Sequence, residues 1–207
     1  MKEEYRTVLH TASAELVEKR SRFIATVKPV HSEEEALEFL ESLKKKYWDA
    51  RHNVYAYVLE ENNIQRYSDD GEPAGTAGVP VLDMIKKEGL GNLIVVVTRY
   101  FGGILLGTGG LVHAYSKSAK MGIEAAGPVT MVLCREVKIS CDYSLLGKIQ
   151  NEILNQGLKI SETEYQTSVT VSLLVPVSRV ESFSKNMIDK TNGKIGIELG
   201  ETGYNKL

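Results

Sequence analysis

The chain is poor in several things, and each shortage closes a route. It has only two cysteines in 207 residues, Cys134 and Cys141. Seven positions apart in one extended stretch, they would lie roughly 23 Å from each other and on opposite faces. They cannot pair with each other, and no His or Cys cluster stands at zinc spacing. No metal and no cofactor is expected, and the cysteines read as two small, semi-buried thiols. No apolar run reaches membrane-spanning length, and the opening M-K-E-E-Y-R-T-V-L-H lacks the apolar core of a secretory leader. A cytoplasmic protein with no membrane partner is expected. An excess of positive charge is missing too. The net charge is −2; residues 1–128 carry 16 Lys and Arg against 18 Asp and Glu, and residues 129–207 carry nine of each. A general polyanion binder is excluded, so any nucleic-acid contact needs a local patch. There is no G-x-S-x-G elbow, and neither cysteine lies in a glycine-rich loop.

What remains is ordinary in bulk: 43% hydrophobic and 25% charged residues, enough for one large domain or two small ones with real cores. Residues 5–10 and 13–30 read as extended, with a short turn between. Ser32 caps S-E-E-E-A-L-E-F-L-E-S-L-K-K-K, a helix with acids first and lysines last, as its dipole prefers. Ala36, Leu37, Leu40 and Leu43 form its apolar face. The lysine run is explained by the dipole and is given no binding role. Residues 53–60 alternate as a strand, and E-E-N-N is a turn. A short helix starts near Val79-Pro80 and stops at Gly89. Residues 93–98, L-I-V-V-V-T, predict a central strand buried on both faces. A long helix follows, from about Thr108 to Ala126, ended by Gly127-Pro128, where a domain boundary is expected. Beyond it, strand 134–142, helix 144–156, strands 158–165 and 167–176, helix 178–191 and strand 194–199 spell β-α-β-β-α-β, a ferredoxin-like module. Gly157 and Gly193 stand where C-caps belong. Nothing in this half looks catalytic, and a docking or oligomerisation module is the preferred reading.

Two glycine-rich stretches carry the candidate chemistry, residues 66–80 (R-Y-S-D-D-G-E-P-A-G-T-A-G-V-P) and 98–116 (T-R-Y-F-G-G-I-L-L-G-T-G-G-L-V-H-A-Y-S). In the second, Gly107-Thr108-Gly109-Gly110 opens a helix and offers free backbone N–H groups to a phosphate or carboxylate. It is not a P-loop, because Thr108-Gly109 stands where Lys-Ser/Thr is required. A tight strand-to-helix turn accounts for the glycines equally well, and the motif alone leaves both readings open. His113, Lys117 and Lys120 line one face of that helix, with Val112, Tyr115, Ala119 and Ile123 on the buried one. Arg99 points to the same end of the sheet. In the first stretch, Asp69, Asp70 and Glu72 surround Gly71 in a turn. Three carboxylates could hold a cation or serve as acid and base; pairing with Arg66 and Arg99, bracing the loops, is the favoured reading. His52, in A-R-H-N-V-Y-A-Y, opens a strand beside Arg51.

R-S-R-F-I-A (20–25), A-R-H-N-V-Y-A-Y (50–57) and the two glycine-rich stretches resemble, in this order, the IMPACT family in its bacterial form. The resemblance implies an α+β protein of two domains, 1–128 and 129–207. The first, a mixed β-sheet with helices packed on it, would be similar to elongation factor G domain IV and to the second domain of a small-subunit ribosomal protein. The second would be a ferredoxin-like βαββαβ domain, similar to domain V of that factor. Eukaryotic relatives act in translational control by competing for the partner that activates a starvation-sensing kinase. One departure is His113, where the family leads us to expect arginine.

Two functions follow as expectations. The first is a non-enzymatic, translation-linked binding protein whose partner is RNA, the ribosome or a protein of translational control. Its anion contacts would be Arg20 and Arg22 (on one face of a strand), Arg51, His52, Arg66 and Arg99. Thr108, Gly109, Gly110, His113 and Lys117 would help them, and Asp69, Asp70, Gly71 and Glu72 would brace the loop. The second is an enzyme acting on a phosphorylated or nucleotide-like small molecule at the glycine-rich helix start.

Overall fold

The computed structural model describes residues 2–61 and 63–206, so Asn62 of the E-E-N-N turn lies outside the described residues. The chain divides into two compact units, one of residues 5–130 and one joining the residues up to Glu4 with those from Met131 onward. The boundary therefore falls inside two strands, β1 (Glu4–Val8) and β7 (Pro128–Cys141).

The N-terminal unit is built on a five-stranded sheet. Its strands are β2 (Ala12–Glu18), β3 (Ser21–Pro29), β4 (His52–Leu59), β5 (Ile64–Ser68) and β6 (Leu93–Tyr100), in the order β2-β3-β6-β4-β5. Every pairing in it is antiparallel, which corrects the mixed sheet expected from the sequence. The reason is topological. Helix α1 (Glu33–Lys46) carries the chain from β3 across to β4, and those two strands do run parallel, but β6 inserts between them and pairs antiparallel with both.

Helix α1 packs on one face of this sheet, and helices α2 (Gly78–Lys87) and α3 (Gly107–Ala125) pack on the other. Alternation along β6 feeds both layers. Leu93, Val95 and Val97 join Phe23, Val54 and Tyr115 beneath α2 and α3, while Ile94 and Val96 meet Ala36, Leu40 and Leu43 of α1. All five of these β6 side chains are fully buried, each worth about 1.5–3 kcal/mol of transfer free energy. Ser32 caps α1 through a bond to its Oγ from the Glu35 N–H, at 3.1 Å, and Glu35 accepts in turn from the His31 N–H. Leu37 departs from the expected apolar face: the buried seam is Ala36, Leu40 and Leu43, and Leu37 lies outside it, exposed.

The stretch 13–30 is also not one extended segment. Lys19 and Arg20 both take positive φ, 43° and 66°, and Glu18 pairs with Ser21, giving a two-residue hairpin between β2 and β3. Strand β5, at one edge of the sheet, overlaps the start of the first glycine-rich stretch, whose sequence shows no separate strand signal.

In the C-terminal unit, β7, α4 (Tyr143–Asn155), β8 (Ile160–Tyr165), β9 (Val169–Pro176), α5 (Val180–Lys190) and β10 (Gly196–Asn205) follow in ferredoxin-like order. The sheet is five-stranded, in the order β1-β7-β9-β8 with β10 also paired to β7; the pairings of β10 with β7, β7 with β9 and β8 with β9 are antiparallel. Val137, Ile139, Val171 and Leu173 from the sheet pack against Ile149, Ile153, Phe183 and Met187 from the two helices. Gly157 and Gly193 follow α4 and α5 at φ 70° and 73°, the left-handed geometry of a helix C-cap. Cys134 and Cys141 are buried and unpaired, and burial pushes both thiols up, away from the reactive thiolate. Among the described residues, no helix is long and apolar enough to cross a membrane.

Candidate functional site

The sheet period that buries Leu93, Val95 and Val97 beneath α2 and α3 delivers Arg99 to the same layer. Its side chain is nearly as buried as theirs, 7% exposed, so it requires a counter-charge. Glu72, from the first glycine-rich loop, supplies it: Arg99 Nη1 donates to Glu72 Oε1 at 2.5 Å. Tyr115 Oη, from the third turn of α3, donates to the same oxygen at 2.8 Å. Burial first, then the charge of Glu72 and the bond to it, push the Tyr115 hydroxyl up, so it serves as a neutral donor. The guanidinium lies 5.3 Å from the Phe23 ring centroid and 5.6 Å from that of Phe101. Phe23 meets Tyr115 edge-on at 5.2 Å.

His52 stands directly opposite Arg99 across β4 and β6. Its Nδ1 lies 2.8 Å from the carbonyl oxygen of Asp70, which only an N–H can satisfy, so Nδ1 carries the proton. Its Nε2 then faces Glu72 Oε1 at 4.0 Å. Histidine, glutamate, arginine and tyrosine thus form one network, and it joins β4, β6, α3 and the loop after β5.

The rest of the acidic turn is committed inward as well. Asp70 takes φ 44° and Gly71 φ 84°, a left-handed pair that turns the chain back on itself; a Cβ added to Gly71 would lie 3.5 Å from the His52 ring. Asp70 Oδ2 accepts from the Asn53 N–H at 2.5 Å. Asp69 accepts three backbone bonds, from Gly75, Ala77 and Gly78 at 2.9, 3.0 and 2.8 Å, and so caps α2, whose own N-cap residue Ala77 has no capping side chain. Burial acts to raise the Asp69 carboxyl, but the three bonds outweigh it and hold the group below its ordinary value of 3.8. The folded state therefore favours the ionised form. Its contribution is complete above the unfolded value and is lost as pH falls through about 4 toward the lower folded one. Asp69→Ala is expected to cost about 1–2 kcal/mol at neutral pH, and its deficit against the parent in urea unfolding should narrow between about pH 5 and pH 3.

The second loop leans on the β2–β3 hairpin. A Cβ on Gly102 would lie 2.0 Å from the carbonyl carbon of Arg20 and 2.4 Å from the Ser21 nitrogen. The Gly102 N–H donates to Ser21 Oγ at 3.2 Å, and Arg99 Nη2 reaches the same oxygen at 3.5 Å. Helix α3 then starts with no side-chain cap. Thr108 and Gly109 are exposed, Gly110 is half-buried against Leu106, and His113 and Lys117 are exposed on the outer face. Val112, expected on the buried face, is exposed; Leu111, Ala114, Tyr115, Ser118 and Ala119 take that face.

Several expected site residues end elsewhere. Arg66 does not brace the acidic turn: on β5 it points across to Glu33 at the start of α1, 3.9 Å away. Arg20 sits in the hairpin turn and not on a strand face with Arg22. Arg22 is exposed, pairs with Glu15 at 2.9 Å and lies over the Tyr100 ring. Arg99, read as a phosphate contact, is held by Glu72 in the interior. His52 is mostly enclosed too, while Arg51 beside it is exposed. The two glycine-rich loops, the hairpin turn and Arg51 do gather at one end of the sheet. Tyr115, Ser21 and Asn53 escaped sequence reading as site members. Tyr115 shows only a core spacing, and the other two act through partners distant in sequence. Among the described residues, no group of three or more His, Cys, Asp or Glu side chains is arranged to hold a metal ion.

Comparison with known proteins gives this arrangement a setting. Residues 19–123 match the model of the Impact N-terminal domain, and residues 139–194 match a domain of unknown function (DUF1949). "IMPACT family member YvyE" of Bacillus subtilis is 45% identical over 97% of this chain and 93% of its own length. "IMPACT family member YigZ" of Escherichia coli is 36% identical over 86% of this chain and 88% of its own. "Protein IMPACT" of Oryctolagus cuniculus is 38% identical, but over 44% of this chain and 30% of its own. A crystal structure described as that of a hypothetical protein is 32% identical, with a TM-score of 0.62 over 97% of this chain and 98% of that one.

Proposed function

The chain belongs to the IMPACT family, and we propose that it is a non-enzymatic, translation-linked protein that binds RNA or the ribosome through the N-terminal unit. The observation that carries this reading is a division of charge at one end of the sheet. The carboxylates of Asp69, Asp70 and Glu72 each accept from internal donors, which supports a bracing role for them over one as acid, base or metal ligand. The cations Lys19, Arg20 and Arg51 are exposed at the same end and make no ion pair among the described residues. Arg22 adds a fourth, since an exposed pair such as Arg22–Glu15 is worth little and exchanges readily for a phosphate. The uncapped start of α3, with Thr108 and Gly109 in the open, Gly110 half-buried beside them and His113 and Lys117 on its outer face, extends this surface.

Contacts of this kind release counterions, so affinity falls steeply with salt. Sedimentation with ribosomes and titration of labelled RNA should both show binding at low salt that is lost as salt rises. The reading fails if neither RNA nor ribosomes are bound, or if binding ignores salt.

A further inference from the structure

Helix α1 runs out through Lys44-Lys45-Lys46-Tyr47-Trp48-Asp49-Ala50-Arg51, with four cations, two aromatic rings and one acid in eight residues. The helix dipole accounts for lysines in a last turn. It does not account for Trp48, whose side chain is the largest in the repertoire and stands 83% exposed. One exposed apolar residue is ordinary on any surface; its surroundings decide whether it matters. Asp49, the next residue, accepts from Tyr100 Oη at 2.8 Å. Tyr100 lies opposite Arg22 in the sheet, under the Arg22 guanidinium at 5.8 Å. Phe101, 43% exposed, follows Tyr100, and Arg51 leads into the strand whose first residue faces Arg99. Trp48 is thus part of the same cationic sheet end as Arg20 and Arg51.

The local charge balance is positive although the chain's is not. Glu41 takes up Lys44 and Glu15 takes up Arg22, while Asp49 accepts from the neutral Tyr100 hydroxyl and keeps its charge, one acid against three cations. Lys45, Lys46 and Arg51 make no ion pair among the described residues. Lys46 lies over the Tyr47 ring at 5.0 Å, a contact that leaves its charge unneutralised.

We infer that the end of α1 is a stacking platform for single-stranded RNA: one base lies on the Trp48 indole, and the flanking phosphates meet Lys45, Lys46 and Arg51. This deepens the RNA-binding reading and rests on it. The commitment to a single strand follows from the chemistry. An exposed indole beside unpaired cations matches a base with a free π-face next to its own phosphate, and a duplex offers phosphates but keeps its base faces stacked.

The chain has one tryptophan beside ten tyrosines, so emission excited beyond the tyrosine absorption band reports this position alone. Titration with a single-stranded oligouridylate is expected to quench that emission, while a blunt RNA duplex of equal length leaves it unchanged. Trp48→Ala should weaken oligouridylate binding about 5- to 150-fold, the equivalent of 1–3 kcal/mol per stacked base. Trp48→Phe should restore most of it, and unfolding midpoints should stay at the parent value because the side chain supports no core. Oligouridylate binding with unchanged emission and no loss in Trp48→Ala would overturn the platform while leaving RNA binding in place. Equal quenching by the duplex would overturn the single-strand assignment. Absence of binding to either RNA would overturn both the platform and the reading beneath it.

Discussion

Arg99→Met is expected to destabilise the N-terminal unit by about 3–5 kcal/mol, the cost of leaving one member of a buried ion pair alone. Glu72 would keep the Tyr115 hydroxyl but lose its counter-charge in a layer walled by Phe23, Phe101 and Tyr115. A second change should recover much of the loss. With Arg99→Met in place, Glu72→Gln removes the stranded charge while its amide oxygen still accepts from Tyr115. The double variant should therefore be more stable than Arg99→Met alone, a non-additivity of the kind that residues in one network show. Urea unfolding of the two single variants and the double checks this. Simple addition of the two losses would mean that the pair is not the brace described. The same measurement on Arg66→Ala should give a change within about 0.5 kcal/mol, because its contact with Glu33 is long and exposed.

Gly102→Val is expected to cost about 3 kcal/mol or more, the upper end of what overpacking produces. The obstacle is main chain, the Arg20 carbonyl and the Ser21 nitrogen, and not the flexible end of a side chain. To admit a Cβ, the second glycine loop and the β2–β3 turn must separate, which breaks the bond from Gly102 to Ser21 Oγ and weakens the hold of Ser21 on Arg99. Gly109→Ala is the matched control. Nothing lies within 4 Å of its missing Cβ, and it sits inside α3, so alanine should be neutral or stabilising by up to about 1 kcal/mol. Equal midpoints for the two variants would contradict the packing argument. The contrast also divides the loop's glycines by purpose: Gly102 serves close approach within the protein, and Gly109 keeps a helix start open to solvent.

Much of the architecture is legible in the chain because it is written locally. Ser32 and the charge gradient of α1, the unbroken apolar run of β6 and the glycines after α4 and α5 each specify their own element. The C-terminal β-α-β-β-α-β order follows from such signals strung together. What escapes depends on partners far along the chain. The turn at Lys19-Arg20 carries no glycine or asparagine, yet both residues are held at positive φ, with Ser21 fixed by Gly102 from eighty residues away. The order of the sheet hinges on β6 entering between β3 and β4, which no stretch of sequence declares. The acidic turn announces itself, but its counter-charges do not. Arg66 is nearer in sequence and faces Glu33, whereas Glu72 meets Arg99 because two buried faces bring them together. The arginine-rich motifs also offer Arg99 as a phosphate contact, and burial removes it from that surface.

The proposed function divides the sheet end in two, an inward network that holds the fold and exposed cations that bind RNA. The measurement that tests it most directly is the salt dependence of RNA affinity for the parent chain and for Arg20→Ala/Arg51→Ala. If each arginine meets one phosphate, the double variant should keep the parent's unfolding midpoint and lose about two from the magnitude of the slope of log affinity against log salt. An unchanged slope in a folded variant would contradict the account.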